Sequence, residues 1–305
     1  MDYLGIDIGG TDVKVGIVDA SGEVLISAKY PVNIDHYKIP FMDAVMQGIL
    51  MFLSEKEIDL AQIKGVGVSA TGQIDDHSGV VIGSGGSVPG YCGSHIKERI
   101  EETLLLPCTV LNDADCMVLA EAWMGAAKGY QNVVAFTIGT GIGGGMIVNG
   151  TLLTGRNGIA GEIGHMILHE QGEPCGCGNQ GCFERYASTS ALIRRIQARC
   201  PSRPVMNGME VFQCLKKGDQ EIQKVVNEWI EDIVAGCVSL VHIFNPEIIV
   251  IGGGVSNETE YLIAPLRKKI KEKAMPKFAK DLEITQAKLG NTAGMVGAVY
   301  HFIHQ

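Results

Sequence analysis

Three groups of residues have types and spacings suited to chemistry. The first is a set of glycine turns: Asp7-Ile8-Gly9-Gly10-Thr11, Gly139-Thr140-Gly141-Ile142-Gly143-Gly144 and Gly252-Gly253-Gly254, each following an apolar run. Glycine lets the backbone reach positive φ and approach a ligand closely, and successive N–H groups then form a concave anion site. Three such turns in one chain point to an extended anion such as a nucleoside triphosphate. Thr11 and Thr140 add hydroxyl donors, and the Asp7 carboxylate suits Mg²⁺ held through water. Asp7 as an ordinary strand-end carboxylate stays open at this level. Gly139, Gly141 and Gly144 formally match the dinucleotide fingerprint, but that motif needs a helix next, and residues 146–150 read as strand and hairpin. A P-loop is excluded because the chain contains no Gly-Lys pair, and a protein kinase because it contains no Asp-Phe-Gly.

The second group is metal-like. Cys175, Cys177 and Cys182 lie within eight positions, separated largely by glycine. Three thiolates and one imidazole make a closed tetrahedral Zn²⁺ site, and two histidines, His165 and His169, compete for the fourth place. Such a site contributes on the order of 10 kcal/mol when it closes, enough to hold a glycine-rich loop with little core of its own. Four protein ligands leave no open position, so the zinc is structural. The third group is Leu111-Asn112-Asp113, where a strand gives way to a helix. Asp113 is a general base taking a proton from a substrate hydroxyl, or a helix cap; spacing does not separate the two. Asn112 is placed to bond a neighbouring hydroxyl.

The elements that position these groups follow from periodicity. Strands are expected at 3–8, 13–18, 23–28, 63–69, 108–111, 133–138, 146–148, 248–251 and near 282–287. Helices are expected at 41–53, 96–105, 116–126, near 188–200, 208–217 and 220–243, and from about 292, with 75–93 a Gly/Ser-rich loop. Setting residues 8–18 over 138–148 matches Ile8/Ile138, Gly9/Gly139, Ile17/Ile147 and Val18/Val148. Both segments run strand, glycine turn, strand, hairpin. Two related lobes with a cleft between them are expected: 1–117 with 291–305, and 118–290.

Composition narrows the partners. The 305 residues carry 40 glycines without a three-residue period, and 46% apolar against 19% charged residues, which excludes collagen and disorder. A formal net charge of −9 argues against nucleic acid and anionic membranes as partners. The N-terminus lacks a basic leader, and the uncharged stretch before Arg156 carries eight glycines, so neither a signal peptide nor a span is expected. A cytoplasmic location follows, and the other cysteines (92, 108, 116, 200, 214 and 237) read as small apolar residues.

Together these segments resemble the ROK family (repressor, open reading frame, kinase), of the α/β, two-lobed actin/hexokinase-like (ribonuclease H-like) fold, over nearly the whole chain. Asp7 to Thr11 resembles the first phosphate loop and Thr137 to Gly145 the second. Leu111 to Asp115, with Ala120-Glu121, resembles the catalytic segment. Gly161-Glu162-Ile163-Gly164-His165 with Cys175 to Glu184 resembles the zinc and sugar signature, and Asn245 to Ser256 the adenosine side. The resemblance implies an ATP-dependent sugar kinase acting on MgATP, usually at a sugar 6-hydroxyl. It makes Asp113 the base and puts Asn112, Gly72, Glu162, His165 and Glu184 on the sugar. It puts Gly9, Gly10, Thr11, Lys14, Gly139, Thr140, Gly141, Gly253 and Gly254 with Asp7 on ATP and Mg²⁺. It makes His165, rather than His169, the fourth ligand of a structural Zn²⁺, and it implies a homodimer. Two segments depart from the family pattern: Ser69-Ala70-Thr71-Gly72 stands where hexokinases often show Gly-x-Pro-Gly, and Gly86-Ser87-Val88-Pro89-Gly90-Tyr91 where they often show Asn-x-Pro-Gly-Trp. The first is more like members acting on β-glucosides or N-acetylmannosamine. Repressors of the family carry a helix-turn-helix ahead of the kinase-like body, for which the residues before Asp7 leave no room.

Overall fold

The structure, a computed structural model, describes residues 1–34, 36–84 and 88–305; Gly86 and Ser87 of the second departing segment lie outside the described residues. The chain divides into two compact units, Met1–Lys128 with Thr154–Ala160 and Asn291–Gln305, and Gly129–Leu153 with Gly161–Gly290. The expected division after residue 117 falls inside a helix (Asp113–Trp123), and the first unit runs on past that helix to Lys128. Among the described residues no helix is long and apolar enough to cross a membrane.

The first unit runs β1 (Asp2–Ile8), β2 (Asp12–Asp19), β3 (Val24–Pro31), α1 (Phe41–Glu55), β4 (Ile63–Ala70), β5 (Gln73–Asp75), β6 (Val80–Gly83), α2 (Ile96–Leu104), β7 (Cys108–Asn112) and α3 (Asp113–Trp123), and ends in the C-terminal helix Ala293–Ile303. The sheet order is β3-β2-β1-β4-β7, with β1, β4 and β7 parallel. The short β5–β6 ribbon lies where the sequence suggested only loop. α3 begins at Asp113 rather than at 116, because Asn112 caps it.

Alternation along β1 sends Leu4, Ile6 and Ile8 into one core with Phe41, Ile49, Phe52, Ile96 and Ile100 of α1 and α2. Gly5 and Asp7 therefore face the other way, towards the C-terminal helix. Glycines let that helix lie close. A β-carbon on Gly5 would come within 3.0 Å of Met295 Cβ, and one on Gly67 would overlap the Ala298 backbone. Within the helix, a β-carbon on Gly297 would overlap the Cys116 carbonyl oxygen of α3.

The second unit repeats the plan. It contains β8 (Val133–Ile138), β9 (Ile142–Val148), β10 (Thr151–Leu152), α4 (Glu184–Ala187), α5 (Thr189–Arg199), α6 (Gly208–Lys216), α7 (Gln220–Phe244), β11 (Ile248–Gly252), α8 (Ala264–Lys273), α9 (Pro276–Ala279) and β12 (Glu283–Gln286). Its sheet order, β10-β9-β8-β11-β12, is that of the first sheet: hairpin strands on one side, parallel strands on the other. The faint 130-residue sequence repeat is thus a repeated topology, although the hairpins differ by one residue. Ile8 pairs with Val13 across Gly9 to Asp12, whereas Ile138 pairs with Ile142 across Gly139 to Gly141. The unit has its own core around fully buried Trp229, Phe136, Phe183 and Phe212, and the Trp229 indole donates to the carbonyls of Ala187 and Ser188 at 3.0 and 3.1 Å.

The close helix–sheet contact gives a test with a definite sign. In an exposed helix Gly→Ala stabilises by about 1 kcal/mol. At Gly297 the added methyl meets a carbonyl, and overpacking of this kind costs about 1–3 kcal/mol. Gly297→Ala is therefore expected to lower the thermal midpoint by several degrees; an unchanged or raised midpoint would show that the helix does not need this approach.

Candidate functional site

In the first unit the expected residues gather at the carboxyl ends of the three parallel strands. In-register pairing places Ile8 beside Ala70 and Ala70 beside Asn112. Whatever follows each strand must emerge together: the Gly9–Thr11 turn, Thr71-Gly72, and Asp113. Ligands of open α/β sheets bind at such edges. Asp7, with its side chain 15% exposed, accepts from Lys14 Nζ at 2.8 Å on Oδ2 and from Ser69 Oγ at 2.8 Å on Oδ1. The turn closes through Gly9 N–H to the Asp12 carbonyl at 3.0 Å, and Thr11, exposed, donates to Asp12.

The cap of α3 is decided locally. Asn112 Oδ1 accepts from the N–H groups of Ala114 and Asp115, at 2.8 and 3.3 Å, so Asn112 is the cap. Its Nδ2 donates to the Gly72 carbonyl at 2.7 Å, which ties the loop after β4 to the start of α3. Asp113 is the first helical residue and is exposed. Tyr91 lies close by: burial and the Asp113 carboxylate together push its phenol up, and its hydroxyl donates to the Thr71 carbonyl at 2.9 Å. Its ring packs edge-on against Phe41 at 4.9 Å.

In the second unit the turn Gly139–Gly141 closes through Gly139 N–H to the Gly141 carbonyl at 3.0 Å. Thr189, at the start of α5, donates its N–H to the Gly139 carbonyl at 2.9 Å. The glycine turn after β11 lies against it. Gly253 has φ +94°, and a β-carbon there would overlap the Ile138 carbonyl. Gly253 and Gly254 are exposed, as is Thr140. The two turns of this unit are one surface because β8 and β11 are parallel neighbours.

The segment from Gly161 folds back on itself. Phe183 N–H reaches the Met166 carbonyl at 2.7 Å and Cys175 N–H the Asn179 carbonyl at 2.8 Å. This brings one ligand atom from each of His165, Cys175, Cys177 and Cys182 within 4.8 Å of one another. His169 is elsewhere: its Nε2 lies 3.1 Å from Asp232 Oδ1 and its ring packs on Tyr186. Three sulfurs and one imidazole match the donor set of a closed tetrahedral zinc site. His165 Nδ1 lies 3.6 Å from Cys175 Sγ, and Nε2 lies 3.8 Å from Glu162 Oε2. One ring nitrogen thus faces the sulfurs while the other faces the Glu162 carboxylate. Glu184 Oε1 accepts from Cys175 Sγ at 3.2 Å, and Glu184 Oε2 would lie 2.6 Å from a β-carbon on Gly141. Glu162, His165, Glu184 and the second glycine turn therefore form one neighbourhood. Burial pushes the Cys182 thiol up to about 12, and burial raises Cys175; backbone N–H donation from Asn179 lowers Cys177.

Sequence reasoning missed Ser69 as a partner of Asp7 and Thr189 as a support of the second turn. The strand alternation Gly65-x-Gly67-x-Ser69 could have placed Ser69 on the face of Asp7; nothing local marks Thr189. Of the cysteines outside the cluster, Cys92 is exposed rather than core-like.

The fold has counterparts among known proteins. The ROK family model matches residues 3–305, and the chain belongs to that family. A glucokinase of Thermotoga maritima is 31% identical over 312 residues, covering 98% of this chain and 96% of that protein. A β-glucoside kinase of Listeria innocua is 30% identical over 308 residues, covering 100% and 98%. The crystal structure of a ROK glucokinase from Streptomyces griseus, in complex with glucose and AMPPNP, superposes with a TM-score of 0.84 at 30% identity, covering 98% of each chain.

The thiol environments fix the sign of a metal test. Raised thiols keep their protons near neutrality, so a zinc ion entering the cluster must displace them. Affinity is expected to rise with pH by about tenfold per unit for each proton displaced, measured by chelator competition at pH 6.5 and 7.5. A pH-independent affinity would mean that these thiols are not the ligands.

Proposed function

We propose that this chain is an ATP-dependent sugar kinase that transfers the γ-phosphoryl group of MgATP to the 6-hydroxyl of a glucose-type sugar, with free glucose or a β-glucoside as acceptor. The observation that carries the reading is the common edge of β1, β4 and β7, which puts the Asp7 turn, Thr71-Gly72 and Asp113 together. Phosphoryl transfer asks mainly for positioning and charge neutralisation. Backbone N–H groups of the glycine turns suit the phosphates, which matters for a chain whose net charge is −9. Asp7, with Lys14 beside it, is the carboxylate for the cation that accompanies ATP.

Asp113 takes the proton of the attacking hydroxyl, and its exposure leaves it accessible to substrate. Asn112, already bonded to Gly72, holds the loop and helix start that flank it. Glu162, His165 and Glu184 are the sugar-hydroxyl partners of the second unit. His165, Cys175, Cys177 and Cys182 hold a structural Zn²⁺, whose role is to rigidify the segment carrying those partners. Replacing the Cys175 thiol proton by metal removes the donor that now occupies Glu184 Oε1, leaving that oxygen for a sugar hydroxyl. The molecule works as a homodimer in the cytoplasm.

Glucokinases and β-glucoside kinases stand at almost the same identity to this chain, 31% and 30%, so a substrate panel decides the acceptor. A coupled assay with glucose, cellobiose, N-acetylglucosamine and N-acetylmannosamine is expected to show ATP-dependent turnover on glucose or cellobiose. Preference for N-acetylmannosamine would reassign the acceptor, and no turnover on any sugar would sink the kinase reading. Asp113→Asn is expected to lower kcat by about 10²–10⁴-fold with nucleotide binding retained; a rate within a few-fold of wild type would remove Asp113 as the base.

A further inference from the structure

We propose that Ser69 is a positioning residue for phosphoryl transfer, its buried hydroxyl holding one oxygen of Asp7 so that the other presents to the cation of MgATP. The inference rests on the kinase reading above, since it assigns a partner to the carboxylate that reading gives to the cation. Its basis is strand register. Asp7 of β1 is paired with Ser69 of the parallel neighbour β4. Paired residues of adjacent strands point to the same face, so the two side chains stand side by side at the carboxyl end of the sheet.

The two oxygens of Asp7 have unlike partners. Oδ1 accepts from Ser69 Oγ at 2.8 Å, and Ser69 is fully buried. Oδ2 accepts from Lys14 Nζ at 2.8 Å, and the Lys14 side chain is 30% exposed. A buried hydroxyl that loses its acceptor cannot turn to water and is left unsatisfied at a cost in free energy, so the Ser69 bond persists when ligands arrive. A lysine head on a flexible stem at the solvent side can move aside. The third side is closed by helix backbone: a β-carbon on Gly294 would lie 2.6 Å from Asp7 Oδ1 and 2.9 Å from Ser69 Oγ. Rotation about the terminal carboxylate torsion is otherwise broad. Ser69 removes that freedom and leaves Oδ2 as the oxygen that exchanges the ammonium for the cation.

The test is the cation dependence of nucleotide binding in Ser69→Ala and Ser69→Gly, both smaller than serine and so free of overpacking. Calorimetric titration with a non-hydrolysable ATP analogue is expected to show affinity in Mg²⁺ falling by about 10-fold or more, while affinity in EDTA stays at the wild-type value. In the kinase assay the Mg²⁺ concentration for half-maximal rate should rise by a similar factor with the sugar KM unchanged. Equal losses in Mg²⁺ and EDTA would mark a merely structural role, and unchanged Mg²⁺ dependence in both variants would remove the role altogether; either overturns the assignment. The kinase reading fails separately, if wild type turns over no sugar while still binding the analogue in an Mg²⁺-dependent way. The Ser69 comparison remains readable in that case.

Discussion

Parallel pairing of β1, β4 and β7 in register is the constraint on which the rest of the first unit depends. It aligns Ile8, Ala70 and Asn112 across three strands that are far apart in sequence. Because side chains alternate along a strand, the same register also sorts faces. Leu4, Ile6 and Ile8 go to the core under α1 and α2, while Gly5, Gly67, Asp7 and Ser69 line the face of the C-terminal helix. A one-residue slip would send Asp7 into the apolar core and bring Ile8 under the helix. The placement of the Asp7 carboxylate and the helix packing are therefore consequences of one pairing.

Glycine serves two physically different purposes here. In the turns it relieves backbone restriction, most clearly at Gly253, whose φ of +94° disfavours a side chain. In β1, β4 and the C-terminal helix it supplies missing volume. The excess of 40 glycines reads from composition as a ligand-cradling surface. A share of it instead lets a helix lie flat against a sheet, and that helix backbone is what backs Asp7 and Ser69.

The metal-type cluster and the glycine turn of the second unit are coupled through Glu184. One of its oxygens accepts from the Cys175 thiol and the other lies against Gly141. His165 joins the same cluster while facing Glu162. The cysteine segment, Glu162, Glu184 and the glycine turn are thereby gathered in one neighbourhood within a stretch rich in glycine.

Much was legible from residue order because it depends on local chemistry. Glycine turns after apolar runs, the Cys-x-Cys spacing and the strand–Asn-Asp–helix junction name their own chemistry, and the family resemblance rests on them. What local order left open was settled by contacts between distant segments. His169 competes equally with His165 on spacing, yet Asp232, 63 residues away, takes it. Asp113 reads as a possible cap of α3, yet the cap is Asn112, whose amide bridges Gly72 and the helix N-terminus. Ser69 stands out in the sequence only as part of a segment departing from the family pattern, and its hydroxyl sits on Asp7. The sequence by itself determined which side chains and turns the chain possesses. Only the tertiary structure decided which of them share an edge, because strand register and helix approach sum weak contacts over the whole unit and no short window contains them.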